Sequence, residues 1–365
     1  MKIAFDAKRF FSNSSGLGNY SRDLVRILAE YYPENQYFLL NKKLTEKGAE
    51  ILAGENVHYQ KTSSGIFSRQ LKMGRDAQKM DAEIFHGLSG ELPVKWTNKQ
   101  IKKIVTIHDL IFLRYPKYYS WLDRKIHLWK FKKAAQNADL IIAISEQTKR
   151  DIADFLKVSE EKIRVVYQGC HPAFKENFSE EYLEEIRAKY ALPQRFILNV
   201  GTIEQRKNLL NILKAVEGLE IPVVAIGKKK KKYFARIEKF LRTSKTEIHF
   251  PENIPMRDLA AVYRLADIFV YPSEFEGFGI PVIEALFSKT PVITGNVSSL
   301  PEAGGPDSLF VNPNSVEDLR SKILFLWNNE AERKRRAEKG FEYVQKFQDE
   351  KIAEGLMGVY HSVIE

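Results

Sequence analysis

The stretch that decides the fold is residues 273–285, which read SEFEGFGIPVIEA. It follows a short run of β-branched and aromatic residues, 268–271, that is typical of a buried parallel strand. Gly277 and Gly279 let the backbone turn tightly, and Pro281 suits the first turn of a helix, because the N–H that proline lacks would have no partner there. The stretch therefore predicts a strand, a glycine turn and a helix in immediate succession.

Two glutamates, Glu276 and Glu284, lie eight positions apart around this turn. The amides and dipole at a helix start carry about half a positive charge, which attracts a phosphate. Glu276 would lie on the loop and Glu284 inside the helix, so that both can contact one ligand. The alternative is that both glutamates only cap and solvate their surroundings.

A second strand-to-helix junction lies upstream, where the apolar strand 196–200 is followed by residues 201–208, GTIEQRKN, and then by a helix. Arg206 and Lys207 lie at this junction. In open α/β sheets, ligands bind at the carboxyl ends of the strands. An arginine and a lysine at that edge can hold a diphosphate through charge-assisted hydrogen bonds. A solvated pair of surface cations is the alternative.

Together these segments resemble the retaining nucleotide-sugar glycosyltransferases of family 4 (glycosyltransferase group 1), and among them the bacterial mannosyltransferases of surface polysaccharide biosynthesis. The resemblance covers almost the whole chain and is most specific at 276–284 and 201–208. Weaker matches are GLGNY at 16–20, IHD at 107–109, ISE at 144–146 and QG at 168–169. The resemblance implies an α/β fold of the GT-B type, with two Rossmann-like, doubly wound parallel-sheet domains facing across a cleft.

The resemblance also implies a role for each matching residue. Arg206 and Lys207 would bind the donor diphosphate, and Glu284 would accept hydrogen bonds from the nucleotide ribose. Glu276 and His108 are the catalytic candidates, both lying against the donor sugar. Further donor contacts would come from the amides of the turn and from a glycine loop of the first domain: Gly277, Phe278, Gly279, Gly16 and Gly18.

One position departs from the family pattern. Many relatives carry a basic residue directly after the glycine that ends strand 196–200, whereas this chain has Thr202. Phosphate binding would therefore depend more heavily on Arg206 and Lys207.

His108 follows the apolar strand 103–107, at the carboxyl end where functional side chains are expected. Alternatively, it is a neutral histidine that fixes a local turn by bonding to Asp109 or to the backbone. The resemblance favours a role in orienting the donor sugar over acid or base catalysis. His86 also ends an apolar run, and we interpret it as structural.

Length and composition agree with two domains. A chain of 365 residues exceeds the size of one growing core, and a hydrophobic content of 44% suffices to bury large cores. The single cysteine, Cys170, excludes an internal disulfide and a cysteine-based metal cage. No Asp-x-Asp pair follows a strand as a metal holder, so we expect no metal and no cofactor other than the nucleotide-diphosphate sugar as co-substrate.

Strands and helices alternate through both halves, which predicts parallel sheets with helices on both faces. Strands are predicted at 2–6, 36–40, 57–59, 83–86, 103–107, 139–144, 163–166, 196–200, 222–226, 247–250, 267–271, 291–294 and 308–311. The expected domains are an acceptor domain, 1–175, and a donor domain, 190–345. By resemblance, a final helix at 349–365 packs back onto the acceptor domain.

The net charge of +10 suggests an anionic partner. Residues 228–232 are five lysines, typical of a solvated loop. Residues 117–133 interleave aromatic and basic side chains that suit a lipid surface, although they form no clean amphipathic stripe. Peripheral contact with an anionic membrane at the inner face of the cell membrane is therefore a hypothesis. No nucleic-acid module is recognisable.

The chain starts with a strand pattern rather than a signal peptide, and no apolar run reaches the roughly 18 to 20 residues that span a bilayer. We expect a cytoplasmic, metal-independent, retaining hexosyltransferase that acts on a glycan or lipid-linked acceptor in polysaccharide or lipopolysaccharide biosynthesis, with GDP-mannose as the first candidate donor. The alternatives are a GT-B sugar-nucleotide epimerase and a non-catalytic relative that binds an anionic polymer or membrane.

Overall fold

The computed structural model describes residues 1–13, 16–63, 65, 68–96 and 100–365, which divide into two compact units. The first unit contains Met1–Gly169 and Phe347–Glu365, and the second contains Cys170–Lys346. The strands are β1 Lys2–Asp6, β2 Gln36–Asn41, β3 Val57–Lys61, β4 Ile84–Gly87, β5 Lys102–Ile107, β6 Leu140–Ala143, β7 Ile163–Val165, β8 Ile197–Val200, β9 Val223–Ile226, β10 Ile248–His249, β11 Ile268–Tyr271, β12 Val292–Gly295 and β13 Leu309–Val311.

Helices connect these strands throughout. They are α1 Lys8–Ser12, α2 Gly16–Tyr31, α3 Ala49–Leu52, α4 Ser68–Leu71, α5 Met73–Gln78, α6 Ile111–Arg114, α7 Trp121–Asn137, α8 Glu146–Leu156, α9 Glu180–Lys189, α10 Leu209–Ala215, α11 Lys231–Leu241, α12 Met256–Leu265, α13 Ile280–Phe287, α14 Leu300–Gly304, α15 Val316–Trp327, α16 Glu330–Val344 and α17 Asp349–Ile364. Short 3-10 turns lie at Pro116–Tyr118, Glu160–Lys162, Pro172–Lys175, Gln205–Lys207 and Gln345–Phe347.

The sheet of the first unit is parallel, with the order β3-β2-β1-β4-β5-β6-β7 in the described part of the chain. Alternate residues of β1 enter different cores. Ile3 and Phe5 join a cluster formed with α2 and α17, whereas Ala4 joins one formed with α7 and α8. Because both faces are covered, the strands consist of nearly continuous apolar residues, as buried parallel strands do.

A chain of buried polar groups ties α17 to this sheet. Both ring nitrogens of His86 form hydrogen bonds. Nδ1 bonds with the Tyr360 hydroxyl at 2.8 Å, and Nε2 bonds with the Thr106 hydroxyl at 2.8 Å. Thr106 also bonds to the Tyr20 hydroxyl, at 3.0 Å. Burial lowers the pKa of His86 to about 3. His86 is thus a neutral structural residue, as the sequence suggested.

The sheet of the second unit has the order β10-β9-β8-β11-β12-β13 in the described residues, again parallel. Numbered from its own first strand, this is the 3-2-1-4-5-6 order of doubly wound nucleotide-binding sheets. From β8 the strands are added first on one side, to β10, and then on the other, from β11 to β13, and ligands bind beyond the carboxyl ends of the two strands at such a switch point. Both predicted junctions belong to these two strands.

The predicted α/β class and the parallel sheets are confirmed. Each predicted strand is present among the described residues, with ends displaced by two residues or fewer. Within the same residues, no helix combines the length and the apolar character needed to cross a bilayer.

Candidate functional site

Hydrogen bonds fasten the two strand-to-helix junctions of the second unit to each other. The backbone N–H of Glu274, beyond β11, donates to the carbonyl oxygen of Arg206, beyond β8, at 2.9 Å. Asn208 adopts a left-handed conformation, and its buried amide donates to the carbonyl oxygens of Pro272 at 3.3 Å and Pro313 at 2.6 Å. The polar side chains that follow the two strands therefore converge.

Glu276 is the centre of this convergence. Its Oε1 atom lies 2.7 Å from the Lys207 ammonium and 2.7 Å from the Arg206 guanidinium. The hydroxyls of Tyr271, at 2.9 Å, and Ser273, at 2.7 Å, donate to the same oxygen. All four contacts use Oε1, so Oε2 is the oxygen of this carboxylate that can serve a ligand.

Opposite charges hold this cluster together. Burial by itself would raise the pKa of Glu276, but the charges of Lys207 and Arg206 outweigh it and lower the pKa to about 2. Burial lowers the pKa of Lys207, although Glu276 opposes the change. Arg206 forms a second ion pair with Glu204, at 3.0 Å. Two cations and two carboxylates leave the cluster without net charge.

Glu284 lies in the second turn of α13, beside this cluster. It accepts a hydrogen bond from the buried Tyr263 hydroxyl at 2.9 Å. Burial raises the pKa of Glu284 to about 7, against the opposing effects of Tyr263 and of the Lys207 charge. Burial thus favours the protonated form of this carboxyl more than it would for an exposed glutamate.

The glycine turn between the two glutamates is fixed by α14. Gly279 has a φ of 125°, and a Cβ there would approach the side chains of α14 to 3.1 Å. The Ser299 hydroxyl donates to the carbonyl oxygens of Glu276 at 2.9 Å and Phe278 at 2.7 Å. Pro281 lies in the first turn of α13, as predicted. The turn is thus a rigid support for Glu276.

The predicted glycine loop of the first unit is wrong in one respect. Gly16 and Gly18 lie in the first turn of α2 and not in a loop. A Cβ at Gly18 would lie 2.0 Å from the carbonyl oxygen of Asn13, so only glycine allows the preceding backbone to pass this close to the helix. The donor-binding role of both glycines stays a prediction.

His108 directly follows β5, as the sequence indicated. Its Nε2 donates to the carbonyl oxygen of Leu88 at 2.9 Å, which leaves the Nδ1 lone pair facing the amide of Gln168 at 3.4 Å. The Tyr20 ring contacts it edge-on, with 4.5 Å between ring centroids. Burial lowers the pKa of His108 to about 4. The ring is neutral and held by backbone, and its contact with a sugar stays a prediction.

Sequence reasoning missed four side chains that build the site: Tyr271, Ser273, Glu204 and Tyr263. Tyr271 and Ser273 are two residues apart at the carboxyl end of a strand, and residues with that spacing point to the same side of a sheet. This spacing was a usable signal. The contact of Tyr263 with Glu284 was not readable, because it joins α12 to α13.

Two family models cover most of the chain. The model described as "Glycosyltransferase Family 4" matches residues 15–174, and the model described as "Glycosyl transferases group 1" matches residues 183–343. The first range lies in the first unit except for its last five residues, 170–174, and the second range lies within the second unit.

Curated relatives include two proteins of Escherichia coli. The chain is 28% identical to the "Serotype-specific mannosyltransferase WbdA" over 64% of its own length, but covers only 30% of WbdA. It is 26% identical to the "O-antigen chain mannosyltransferase B" over 76% of its own length and 74% of that protein.

Solved structures share the whole fold. Sucrose-phosphate synthase from Thermosynechococcus elongatus matches with a TM-score of 0.79 at 20% identity, over 100% of this chain and 99% of that one. Anabaena HepE in complex with UDP-glucose matches with a TM-score of 0.77 at 14% identity, over 99% and 100% of the two chains. With an architecture of the GT-B type and both family domains in order, the chain belongs to the group 1, family 4 glycosyltransferases.

Proposed function

We propose that this chain transfers a hexose, with retention of configuration, from a nucleotide-diphosphate sugar to a hydroxyl of a glycan or lipid-linked acceptor. The observation that carries the proposal is the convergence of Arg206, Lys207 and Glu276 beyond the carboxyl ends of β8 and β11. A switch point that presents two cations, a carboxylate and a helix start suits a sugar diphosphate.

In this proposal Arg206 and Lys207 bind the donor diphosphate and stabilise the charge that it gains as the sugar leaves. Such preorganised electrostatics contribute more when water is excluded, and both side chains are largely buried. Among the described residues, no three His, Cys, Asp or Glu side chains converge as metal ligands. The proposal gives the charge-stabilising role to the two protein cations.

Glu276 has two parts in the proposed reaction. Its Oε1 is anchored by four donors, so Oε2 is the atom that would accept from a sugar hydroxyl or face the developing positive charge of the sugar. Its carboxylate also neutralises Arg206 and Lys207, so a diphosphate must compete with it for both cations. Glu284, as a carboxylate, would accept hydrogen bonds from the ribose, and contacts of Gly277, Phe278 and Gly279 with the donor belong to the same proposal.

GDP-mannose is the donor that we propose first. The support is the residue pattern at 201–208 together with the names of the relatives, two of which are mannosyltransferases of Escherichia coli. HepE, whose fold this chain shares, was solved with UDP-glucose, so both purine and pyrimidine donors enter the test.

A thermal-shift screen against GDP, UDP, ADP and CMP and their sugar forms, each with and without EDTA, tests the donor site. We expect one nucleoside diphosphate to stabilise the protein in the presence of EDTA and to lose this effect in Lys207→Ala. Absence of any shift would contradict the donor site. Analysis of products from the stabilising sugar nucleotide, with and without an acceptor glycan, then distinguishes transfer from epimerisation.

Contact with an anionic membrane is the second part of the proposal, and it is supported by the outward face of α7. At about 100° per residue, Trp121, Leu122, Ile126 and Trp129 share one half of this helix, and each is at least 46% exposed. Buried residues of the same helix, including Ala134 and Ala135, lie on the other half. Apolar residues on both halves explain why the sequence showed no single amphipathic stripe.

Lysines share the outward half with these apolar side chains. Lys125, Lys132 and Lys133 are exposed there, and the Lys125 ammonium lies 4.0 Å from the centroid of the Trp121 ring. Tryptophan, leucine and lysine on one exposed surface match a layer of anionic headgroups above acyl chains.

Flotation with liposomes tests this contact. We expect the protein to float with vesicles that contain phosphatidylglycerol and not with phosphatidylcholine alone, and Trp121→Ala/Trp129→Ala to abolish flotation. Phe325→Ala is the matched control, because Phe325 is 46% exposed in the second unit. Equal flotation of the double variant, or no flotation of the wild type, would remove the membrane from the proposal.

A further inference from the structure

The first unit also has a switch point, between β1 and β4, where the strand order reverses. Ligands bind beyond the carboxyl ends of the strands at this place in a doubly wound sheet. The residues that follow β1 are Ala7 and the short helix α1, which begins Lys8-Arg9. A segment containing Ser89 and Glu91 follows β4. The charged groups of these two segments are therefore candidates for a ligand site.

The carboxylates at this edge are already paired. Arg69 lies with its Nε 2.6 Å from Asp6 and with another nitrogen 2.8 Å from Glu91. Lys130 lies 3.4 Å from Glu91. Asp6 and Glu91 are thus both paired with Arg69 or Lys130, so neither carboxylate is left to neutralise a further cation.

Lys8 and Arg9 are the further cations. Within the described part of the chain, neither side chain forms an ion pair, and the buried Nε of Arg9 has no hydrogen-bond partner. A buried donor without a partner is costly and rare, and a ligand oxygen is one way to satisfy it. Lys8 is the exposed neighbour of Arg9, and the charge of Arg9 acts on its ammonium.

The titration behaviour of the neighbours agrees with an excess of positive charge. Burial, and then the charges of Arg69 and Arg9, lower the pKa of Lys8 more than Glu91 and Asp6 raise it. The charge of Arg9 also adds to the effect of burial in lowering the pKa of His108. The charge of Arg9 therefore acts on Lys8, which follows β1, and on His108, which follows β5.

We propose that Arg9 and Lys8 form an anion-binding subsite at the switch point of the first unit, with a phosphoryl or carboxylate group as its ligand. A guanidinium fork with an adjacent ammonium binds such groups through charge-assisted hydrogen bonds. Only the identification of the ligand as part of the acceptor, a phosphorylated or acidic-sugar glycan, rests on the proposed transferase function.

Inorganic phosphate is the first probe, and its dissociation constant is measured by thermal shift at constant ionic strength. We expect Arg9→Gln to weaken phosphate binding about tenfold, which corresponds to about 1.4 kcal/mol. Any phosphate bound at Arg206 and Lys207 is common to wild type and variant and does not alter the comparison. Arg150→Gln is the control, because Arg150 is an exposed arginine on α8 of the same unit.

Equal phosphate binding by wild type and Arg9→Gln overturns the subsite, as does an equal loss in Arg150→Gln. If Arg9→Gln does not fold, Lys8→Gln replaces it, since this exposed side chain makes no ion pair in the described residues. A second arm of the experiment replaces phosphate with acetate and glucuronate. A thermal shift that depends on Arg9 and occurs only with phosphate identifies a phosphoryl ligand. A thermal shift that depends on Arg9 and occurs with the two carboxylates identifies an acidic sugar. Stabilisation by a nucleoside diphosphate, measured in Arg9→Gln, reports the donor site separately.

Discussion

The Lys207 ammonium lies 2.7 Å from Glu276 Oε1, so the residue expected to bind phosphate is paired with the residue expected to contact the sugar. Arg206 shares the same oxygen at the same distance. The carboxylate thus occupies both cations that we propose for the donor diphosphate. Under the proposed function, donor binding would exchange one anion for another at Arg206 and Lys207, and product release would be the reverse.

Glu276→Gln tests this exchange. The amide keeps the shape of the side chain but removes its charge, so we expect a nucleoside diphosphate to bind about tenfold more tightly, by about 1.4 kcal/mol, while sugar transfer falls. Calorimetric titration measures the affinity. Glu338→Gln is the control, because Glu338 is an exposed partner of Lys289 in the same unit. Weaker binding in Glu276→Gln would contradict the exchange.

The same variant should be less stable without nucleotide. Removing one partner of a buried ion pair costs about 3 to 5 kcal/mol, and here two cations lose their shared partner. We expect the free energy of unfolding to fall by about 3 kcal/mol and to recover largely when a nucleoside diphosphate is added. Urea unfolding with and without the nucleotide measures both values. A variant as stable as the wild type would show that the pairs contribute little.

Lys207→Ala should impair transfer far more than a surface substitution does. Loss of one preorganised electrostatic group costs about 2 to 4 kcal/mol in the transition state, or roughly 30-fold to 1,000-fold in kcat/KM. Steady-state kinetics with the donor found by thermal shift measures this. Lys214→Ala, at an exposed lysine of the adjacent α10, should leave kcat/KM unchanged. Unchanged turnover in Lys207→Ala would count against the site.

Glu284 and Glu276 should give opposite dependences of stability on pH. Because burial raises the folded-state pKa of Glu284 to about 7, the folded protein holds this proton more tightly, and stability falls as the pH rises from the ordinary glutamate range through 7. The lowered pKa of Glu276, about 2, stabilises the fold above the ordinary range, and this contribution is lost on acidification toward 2. Urea unfolding at pH 5 and 7.5 should show a decrease in the wild type that is smaller in Glu284→Gln. An identical decrease in both proteins would contradict the raised pKa.

Gly279→Ala should destabilise the second unit. The residue has a φ of 125°, and a Cβ would lie 3.1 Å from Ala303 and 3.2 Å from Leu300. Strain of this kind costs about 1 to 3 kcal/mol. Gly358→Ala is the matched control, because Gly358 lies within α17 and an added Cβ would meet no neighbouring side chain within 4 Å, and alanine favours a helix over glycine by about 0.5 to 1 kcal/mol. Thermal unfolding of both variants should move in opposite directions.

The strands were predictable because buried parallel strands leave continuous apolar runs, such as 268–271 and 103–107. The two junctions were predictable because glycine and proline specify a turn and a helix start. The neutral pairing of Glu276 with Arg206 and Lys207 was not predictable, since it requires the distance between two loops separated by 69 residues. Local sequence gives residue types and their spacing along the chain, but not the distance in space between two such loops.

The two apolar halves of α7 show a second limit. Periodicity assumes that apolar residues mark the buried side, and this rule fails for a helix that carries Trp121 and Trp129 outward and Ala134 inward. The glycines at 16 and 18 were assigned to a loop because they match the glycine loop of the family that the chain resembles. Both lie in the first turn of α2, and the close approach of the Asn13 carbonyl oxygen to Gly18 is a contact that no sequence pattern records.

Helix α17 gives the chain an order of assembly. Most of the first unit precedes the second unit in the chain, but Ile352, Leu356 and Tyr360, which complete one of its cores, follow the second unit. During synthesis, a face of the first sheet must therefore wait for α17, which is made only after all residues of the second unit. A nascent chain that stops short of α17 would display this uncovered face to chaperones and proteases.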